Sequence, residues 1–324
     1  MAVPTVYRWD DTGAPILCHN IDPNGIVSVV KACLINGYGD KTPPGAGYQL
    51  EYENVDGSGI AFTSLSENSN GFFHYVMTAR AFFQNTTSPL NEYEIGVCEF
   101  MTDINTRINT IYDSRLYSNY YDYRDDIVPW VVIADDRFFY VFVYNDYTFD
   151  IRGNPNISTM WGGSTGGWGD IVTLAEDPWA TISWGYTYAT HNGDYFGVLE
   201  PTVHVGSRIM RSYLGDTIAN KIQIAAGGGV DTQATIHIGS SQGPLKRNRE
   251  PIVIVRPTIH DENAGSTPYA FRGWAPGFYY PQVNMPYGNL ETVTIDGKTF
   301  LAVWLKIYSN ITGQCLISLD DWRV

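Results

Sequence analysis

The chain has little of what usually marks out an activity. Only four of its 324 residues are cysteine, and Cys18, Cys33, Cys98 and Cys315 form no CxxC pair. That excludes a zinc ribbon and a dense disulfide framework, and the four read as buried thiols of a protein folded in a reducing cytoplasm. Cations are scarce, with 20 Lys and Arg against 34 Asp and Glu and a net charge of −14. A chain so acidic has no electrostatic affinity for phosphate backbones or anionic lipid, so direct nucleic-acid binding is not expected. No apolar run approaches the length of a membrane span, and MAVPTVYRWDD lacks the basic and apolar regions of a signal peptide. Neither secretion by that route nor a membrane-spanning segment is expected.

Catalytic signatures are missing as well. His19, His74, His191, His204, His237 and His260 stand alone, without HxH or HExxH spacing, and GxSxG does not occur. The glycine-rich Met160–Asp170 stretch, MWGGSTGGWGD, has no Walker lysine and no helical pattern after it, so it is not read as a phosphate loop. Acidic clusters occur at Asp10-Asp11, Asp122 with Asp125-Asp126, Asp135-Asp136 and Asp320-Asp321. Paired carboxylates could serve a glycosidase, but acidic groups of this kind more commonly form surface turns. The expectation is a protein that is not an enzyme, with no catalytic, cofactor or metal residues.

What the chain does have is aromatic side chains and turn formers: Tyr 23, Phe 14, Trp 9, Gly 32 and Pro 17. With only 17% charged residues, this is the composition of a β-rich protein. The organising stretch is Pro129–Val143, PWVVIADDRFFYVFV. Two β-branched and aromatic runs flank Asp135, Asp136 and Arg137, which read as the turn of a central hairpin. Neither arm alternates between apolar and polar, so both faces of the ribbon are expected to be covered.

One helix is expected. From Pro23-Asn24 onward, Ile26, Val29, Val30, Cys33 and Leu34 make a single apolar stripe, with Asn24 as a cap and Asn36-Gly37 as a stop. Strands are expected at 3–9, 48–52, 59–64, 71–79, 92–101, 180–187, 195–199, 221–226, 233–239, 250–258 and 314–319. A second hairpin is expected over 291–307, turning at Asp296-Gly297. The polar 103–123 stretch reads as a surface excursion, and the proline-dense 267–286 stretch as an extended segment excluded from any central strand. The fold class is therefore mainly β: antiparallel, sandwich-like sheets with one amphipathic N-terminal helix packed on the core. It forms a single domain, 1–324, with 150–250 as a subdomain or large insertion.

Several blocks together resemble a family. VYRWDDTGAP (6–15), KACLINGYGDKTPPG (31–45), PWVVIADDRFFYVFV (129–143), RGWAPGFYYP (272–281) and the closing DGKTFLAVWL and CLISLDDWR are similar to blocks of a virion-associated protein family of tailed bacteriophages and prophages. Members of that family usually carry proline before the final Trp-Arg, where this chain has Asp321. The resemblance implies a structural virion component at the neck, tail or capsid surface, made in the bacterial cytoplasm. Its partners would be other virion proteins, in a homo-oligomer or ring. Such a protein needs aromatic or apolar patches for its neighbours, and Tyr117, Tyr120, Tyr121, Trp161 and Trp168 are the candidates. The alternative is a carbohydrate- or receptor-binding virion protein that uses the last four of these as stacking platforms.

Overall fold

The computed structural model describes residues 3–18, 24–69, 74–83, 89–119, 127–144, 164–186, 208–212, 215, 218–225, 254–261, 270–281, 287–308 and 311–323. The first part of the chain supplies β1 (Thr5–Arg8), helix α1 (Gly25–Lys31), β2 (Tyr48–Glu53), β3 (Gly59–Ser64), β4 (His74–Phe83), β5 (Pro89–Asp103) and β6 (Thr106–Asn119). Then come β7 (Trp130–Ala134), β8 (Phe138–Val143), β9 (Ser164–Asp170), β10 (Thr181–Tyr186), β11 (Arg208–Arg211), β12 (Ile218–Ala225) and β13 (Ile254–Val255). The chain closes with β14 (Thr258–Asp261), β15 (Ala270–Trp274), β16 (Phe278–Pro281), β17 (Thr292–Ile295), β18 (Lys298–Tyr308) and β19 (Ile311–Ser318). Among the described residues all strand pairs are antiparallel and there is one short helix, and the fold is mainly β and sandwich-like.

The central hairpin forms as its composition predicts, and every residue of β7 and β8 is buried. Because successive strand residues point to opposite faces, the two arms feed two separate cores. Val131, Ile133, Phe138, Tyr140 and Phe142 enter one, while Trp130, Val132, Ala134, Phe139, Val141 and Val143 enter the other. The first core is completed by the sheet β13-β16-β19-β18-β17, through Phe278, Leu301, Val303, Cys315 and Ile317. The second is completed by the sheet β2-β3-β4-β5-β6 and by the helix. Phe139 and Tyr140 thus anchor aromatic clusters on opposite faces. Phe139 meets Tyr48, Phe62, Tyr75 and Trp168, and Tyr140 meets Phe138, Trp184, Phe278 and Trp322.

The helix buries Ile26, Val29, Val30, Cys33 and Leu34, the expected stripe. Its last turn, Ala32–Asn36, widens to a π-helix and stops at Gly37, whose φ is 74°. Asn24 does not cap by its side chain; its Nδ2 donates instead to the Asp56 carbonyl at 2.8 Å.

Two expectations are corrected. The 103–123 stretch is no excursion: β6 pairs along β5 from Asp103↔Thr106 to Leu90↔Asn119. Its alternation is concealed because the register passes from Ile95↔Ser114 to Val97↔Ile111, giving β6 one residue more than β5. Ile111 and Leu116 consequently enter the same core despite opposite parity along the chain. Nor is the proline-dense stretch excluded from the sheets. Pro276 falls in the break between β15 and β16, while β16 sits between β13 and β19 and ends at Pro281.

Of the described strands of the 150–250 block, β9 pairs directly onto β8, and β10, β11 and β12 follow it in the central sheet, whose order is β1-β7-β8-β9-β10-β11-β12-β14-β15. At the far end β15 returns to the segment after β9. The Val172 N–H donates to the Trp274 carbonyl at 3.0 Å, and the Trp274 N–H to the Val172 carbonyl at 2.9 Å. The sheet from β9 to β15 therefore closes on itself. The strand expectations at 195–199 and 233–239 lie outside the described residues.

The other edge, β1, is blocked by side chains. The Arg8 N–H donates to Asp11 Oδ2 at 2.8 Å, and Lys41 Nζ donates to the Val6 carbonyl at 3.0 Å. Capping an edge in this way keeps it from adding a foreign strand.

Candidate functional site

Among the described residues, the hairpin turn Asp135–Arg137 is tied to several distant parts of the chain. Asp135 is 1% exposed, so it is not a surface-turn residue, contrary to the reading of the acidic clusters. Its Oδ1 accepts the backbone N–H of Arg137 at 2.8 Å and of Phe138 at 2.6 Å, which fixes the shape of the turn. Its charge is met by Arg323, with Nε to Oδ2 at 2.9 Å and Nη2 to Oδ1 at 3.2 Å. Arg323 Nη1 also donates to the Asp170 carbonyl at 2.6 Å, and Thr181 Oγ1 to Asp170 Oδ1 at 2.6 Å. Burial alone would lower the Arg323 pKa; the carboxylates of Asp135 and Asp170 outweigh it and raise the value.

The N-terminal sheet grips the same turn from the other side. Tyr48 Oη donates to the Asp135 carbonyl at 3.2 Å, Ser64 Oγ donates to the Asp136 carbonyl, and Arg137 Nη1 donates to the Asn68 carbonyl at 2.8 Å. Burial lifts the Tyr48 phenol well above its ordinary value, so it stays a neutral donor. Burial, followed by repulsion from Arg323, lowers the Arg137 pKa.

A second polar group pins the closed part of the central sheet. Arg272 has a fully buried side chain and makes a bidentate pair with Asp177, Nε to Oδ2 at 2.8 Å and Nη2 to Oδ1 at 3.1 Å. Its Nη1 reaches Asp261 Oδ2 at 3.3 Å and the Arg211 carbonyl at 2.9 Å. Arg211 in turn pairs with Glu99 of β5, Nη2 to Oε2 at 2.6 Å, and lies over the Trp179 ring at 4.7 Å. That hydrogen bond from Arg211 is the main cause of the lowered Glu99 pKa. Both assemblies tie layers together. Among the described residues no three His, Cys, Asp or Glu side chains gather where they could hold a metal ion.

The candidate interaction residues are placed unevenly. Trp168 is fully buried and stacks on Phe139 with ring centroids 5.4 Å apart. It is a core residue rather than a surface platform, because β9 lies inside the central sheet with the N-terminal sheet above it. Gly166 serves the same packing, since a Cβ there would run into the Trp168 ring, whereas a Cβ on Gly167 would lie 2.9 Å from the Phe138 ring in the opposite core. Tyr117 lies in β6 opposite Glu92, with its side chain outside the described set. Tyr120, Tyr121 and Trp161 lie outside the described residues.

A surface the sequence does not single out is the outer face of the N-terminal sheet. Phe100 and Ile108 face each other across β5 and β6 and are 53% and 52% exposed. Cys98, two residues before Phe100 on β5, belongs to a small buried apolar cluster with Ala61, Val76, Met101 and Ile104. Side-chain exposure of large apolar residues in a cross-strand pair is a tertiary property, and no local pattern announces it.

The five sequence blocks 6–15, 31–45, 129–143, 272–281 and the closing stretch lie side by side. Tyr7 Oη donates to the Thr42 carbonyl at 2.6 Å, Trp130 Nε1 to the Pro15 carbonyl at 3.2 Å, and Tyr140 Oη to the Pro276 carbonyl at 2.8 Å. The Ser318 N–H donates to the Gly277 carbonyl at 2.7 Å, and Arg323 reaches Asp135. No protein-family model matches the chain, and no curated protein matches it. No helix among the described residues is long and apolar enough to cross a membrane.

Proposed function

We propose that this protein is a non-enzymatic structural component of a tailed-phage virion, at the neck, tail or capsid surface. It assembles there with copies of itself and with other virion proteins. The observation that carries the reading is the spatial contiguity of the resembling blocks. Five segments dispersed from residue 6 to residue 323 meet through named hydrogen bonds and one buried ion pair. Blocks that build a common interior are what members of one fold family share, whereas surfaces are free to differ.

The fold also suits the role. Layers tied by buried arginine–carboxylate groups make a stiff body, and the exposed Phe100–Ile108 pair is the sort of apolar patch that assembly buries. The carbohydrate-binding alternative is less favoured, since Trp168, one of its four platforms, is in the core.

The test is mass spectrometry of purified particles from the host that carries this gene, with the chain counted against the major capsid protein. A fixed ratio is expected, and absence from every particle overturns the reading. Replacing Phe100 and Ile108 together by Ser should keep the fold and lower incorporation. Undiminished incorporation would remove that face from the assembly surface.

A further inference from the structure

Beyond β19 the chain runs through Leu319–Arg323 across the end of the sandwich, held at several points. The Leu319 N–H donates to the Thr299 carbonyl at 2.8 Å, and Asp320 Oδ2 accepts the Thr299 N–H at 3.0 Å. Trp322 is 1% exposed, lies beside Tyr140, and donates from Nε1 to the Ser318 carbonyl at 2.7 Å. Arg323 then reaches past the C-terminal sheet to the turn of the central hairpin.

The contacts at that turn form a relay. Arg323 neutralises the Asp135 carboxylate, whose side chain is wholly buried. The carboxylate holds the Arg137 and Phe138 amides, and so the shape of the turn. The turn offers its Asp135 and Asp136 carbonyls to Tyr48 and Ser64, the first residue of β2 and the last of β3. Tyr48 and Ser64 are themselves paired across those strands. One guanidinium therefore acts, through one carboxylate and one turn, on the register of a sheet in another layer.

We propose that Leu319–Arg323 is a strap that locks the three layers into one cooperative unit. Seated, it holds the N-terminal sheet on the central hairpin. Unseated, it releases the turn, β2 and β3 together, although none of these is adjacent to it in sequence. The physical cause is the buried carboxylate. Stripped of its cation it cannot remain desolvated, so the turn has to open to water, and its grip on Tyr48 and Ser64 opens with it.

Hydrogen exchange on the full chain tests this. In Arg323→Gln, amide exchange should rise about tenfold or more in 135–138 and 48–64 as well as in 319–323. The β12–β14 pair, Ile222–Ala225 with Thr258–Asp261, serves as the internal reference. Asp135→Asn combined with Arg323→Gln should bring 48–64 back toward the parent rate, because no buried charge is left unpaired. A rise confined to 319–323 overturns the strap. Should Arg323→Gln fail to fold, native-state exchange of the unmodified chain at low denaturant decides. Amides of the strap and of 48–64 are expected to open together with one denaturant slope, and separate openings overturn the proposal.

Discussion

Gly277 and Trp322 occupy each other's space: a Cβ on Gly277 would fall 2.1 Å from the indole Nε1. Gly277 also sits at φ 62°, in the left-handed region that costs an L-residue about 1–2 kcal/mol. Its glycine is thus required twice, by the turn between β15 and β16 and by the ring packed on it. Gly277→Ala is expected to destabilise by about 3 kcal/mol, combining that strain with overpacking. Trp322→Ala should cost about 3–5 kcal/mol as a cavity. The double variant should cost clearly less than the sum, because removing the ring leaves room for the methyl. Urea unfolding of the three variants gives the comparison, and strict additivity would mean that the contact is not what constrains Gly277.

Arg272 is the cation of a buried group with two carboxylates, Asp177 and Asp261. Arg272→Met keeps the length of the side chain and removes its charge, leaving both carboxylates buried against an apolar stem. The expected loss is about 3–5 kcal/mol, the scale for breaking one side of a buried ion pair. Converting Asp177 and Asp261 to Asn in the same chain should recover most of it. Thermal unfolding of the single and triple variants checks the order.

The Asp296-Gly297 turn provides a contrasting case in which conformation acts without contact. Both residues have positive φ, 49° and 76°, and a Cβ on Gly297 would meet nothing within 4 Å. Gly297→Ala should therefore cost about 1–2 kcal/mol from backbone strain alone. Gly297→Asn should cost less, since Asn tolerates this region. Equal losses for the two would argue against strain as the cause.

Alkaline stability should be limited by tyrosine. Burial is the first cause that raises the phenol pKa of Tyr48, Tyr75 and Tyr140, and it also raises those of Tyr7, Tyr38 and Tyr144. Above the ordinary value of about 10, the unfolded chain loses these protons while the folded chain keeps them. Their contribution to stability is thus complete below about pH 10 and falls as pH rises through it. Ultraviolet titration should show this group ionising in one step that coincides with loss of near-UV circular dichroism. Ionisation of all tyrosines at ordinary values with the fold intact would contradict the burial.

Much of the architecture is written locally. The two hairpins, the stripe and stop of the helix, and the burial of both faces of β7 and β8 follow from side-chain type, turn chemistry and periodicity within a few residues. Those features needed no knowledge of the rest of the chain. The tertiary structure alone decided that β6 is a strand, since the extra residue that corrects its phase is visible only against β5. It also made Asp135 an interior charge, because its partner Arg323 lies 188 residues away. It put Trp168 in the core and left Phe100 and Ile108 outside. For the last three the physical reason is shared: burial and charge pairing depend on which layer covers a residue, and the covering layer comes from distant sequence.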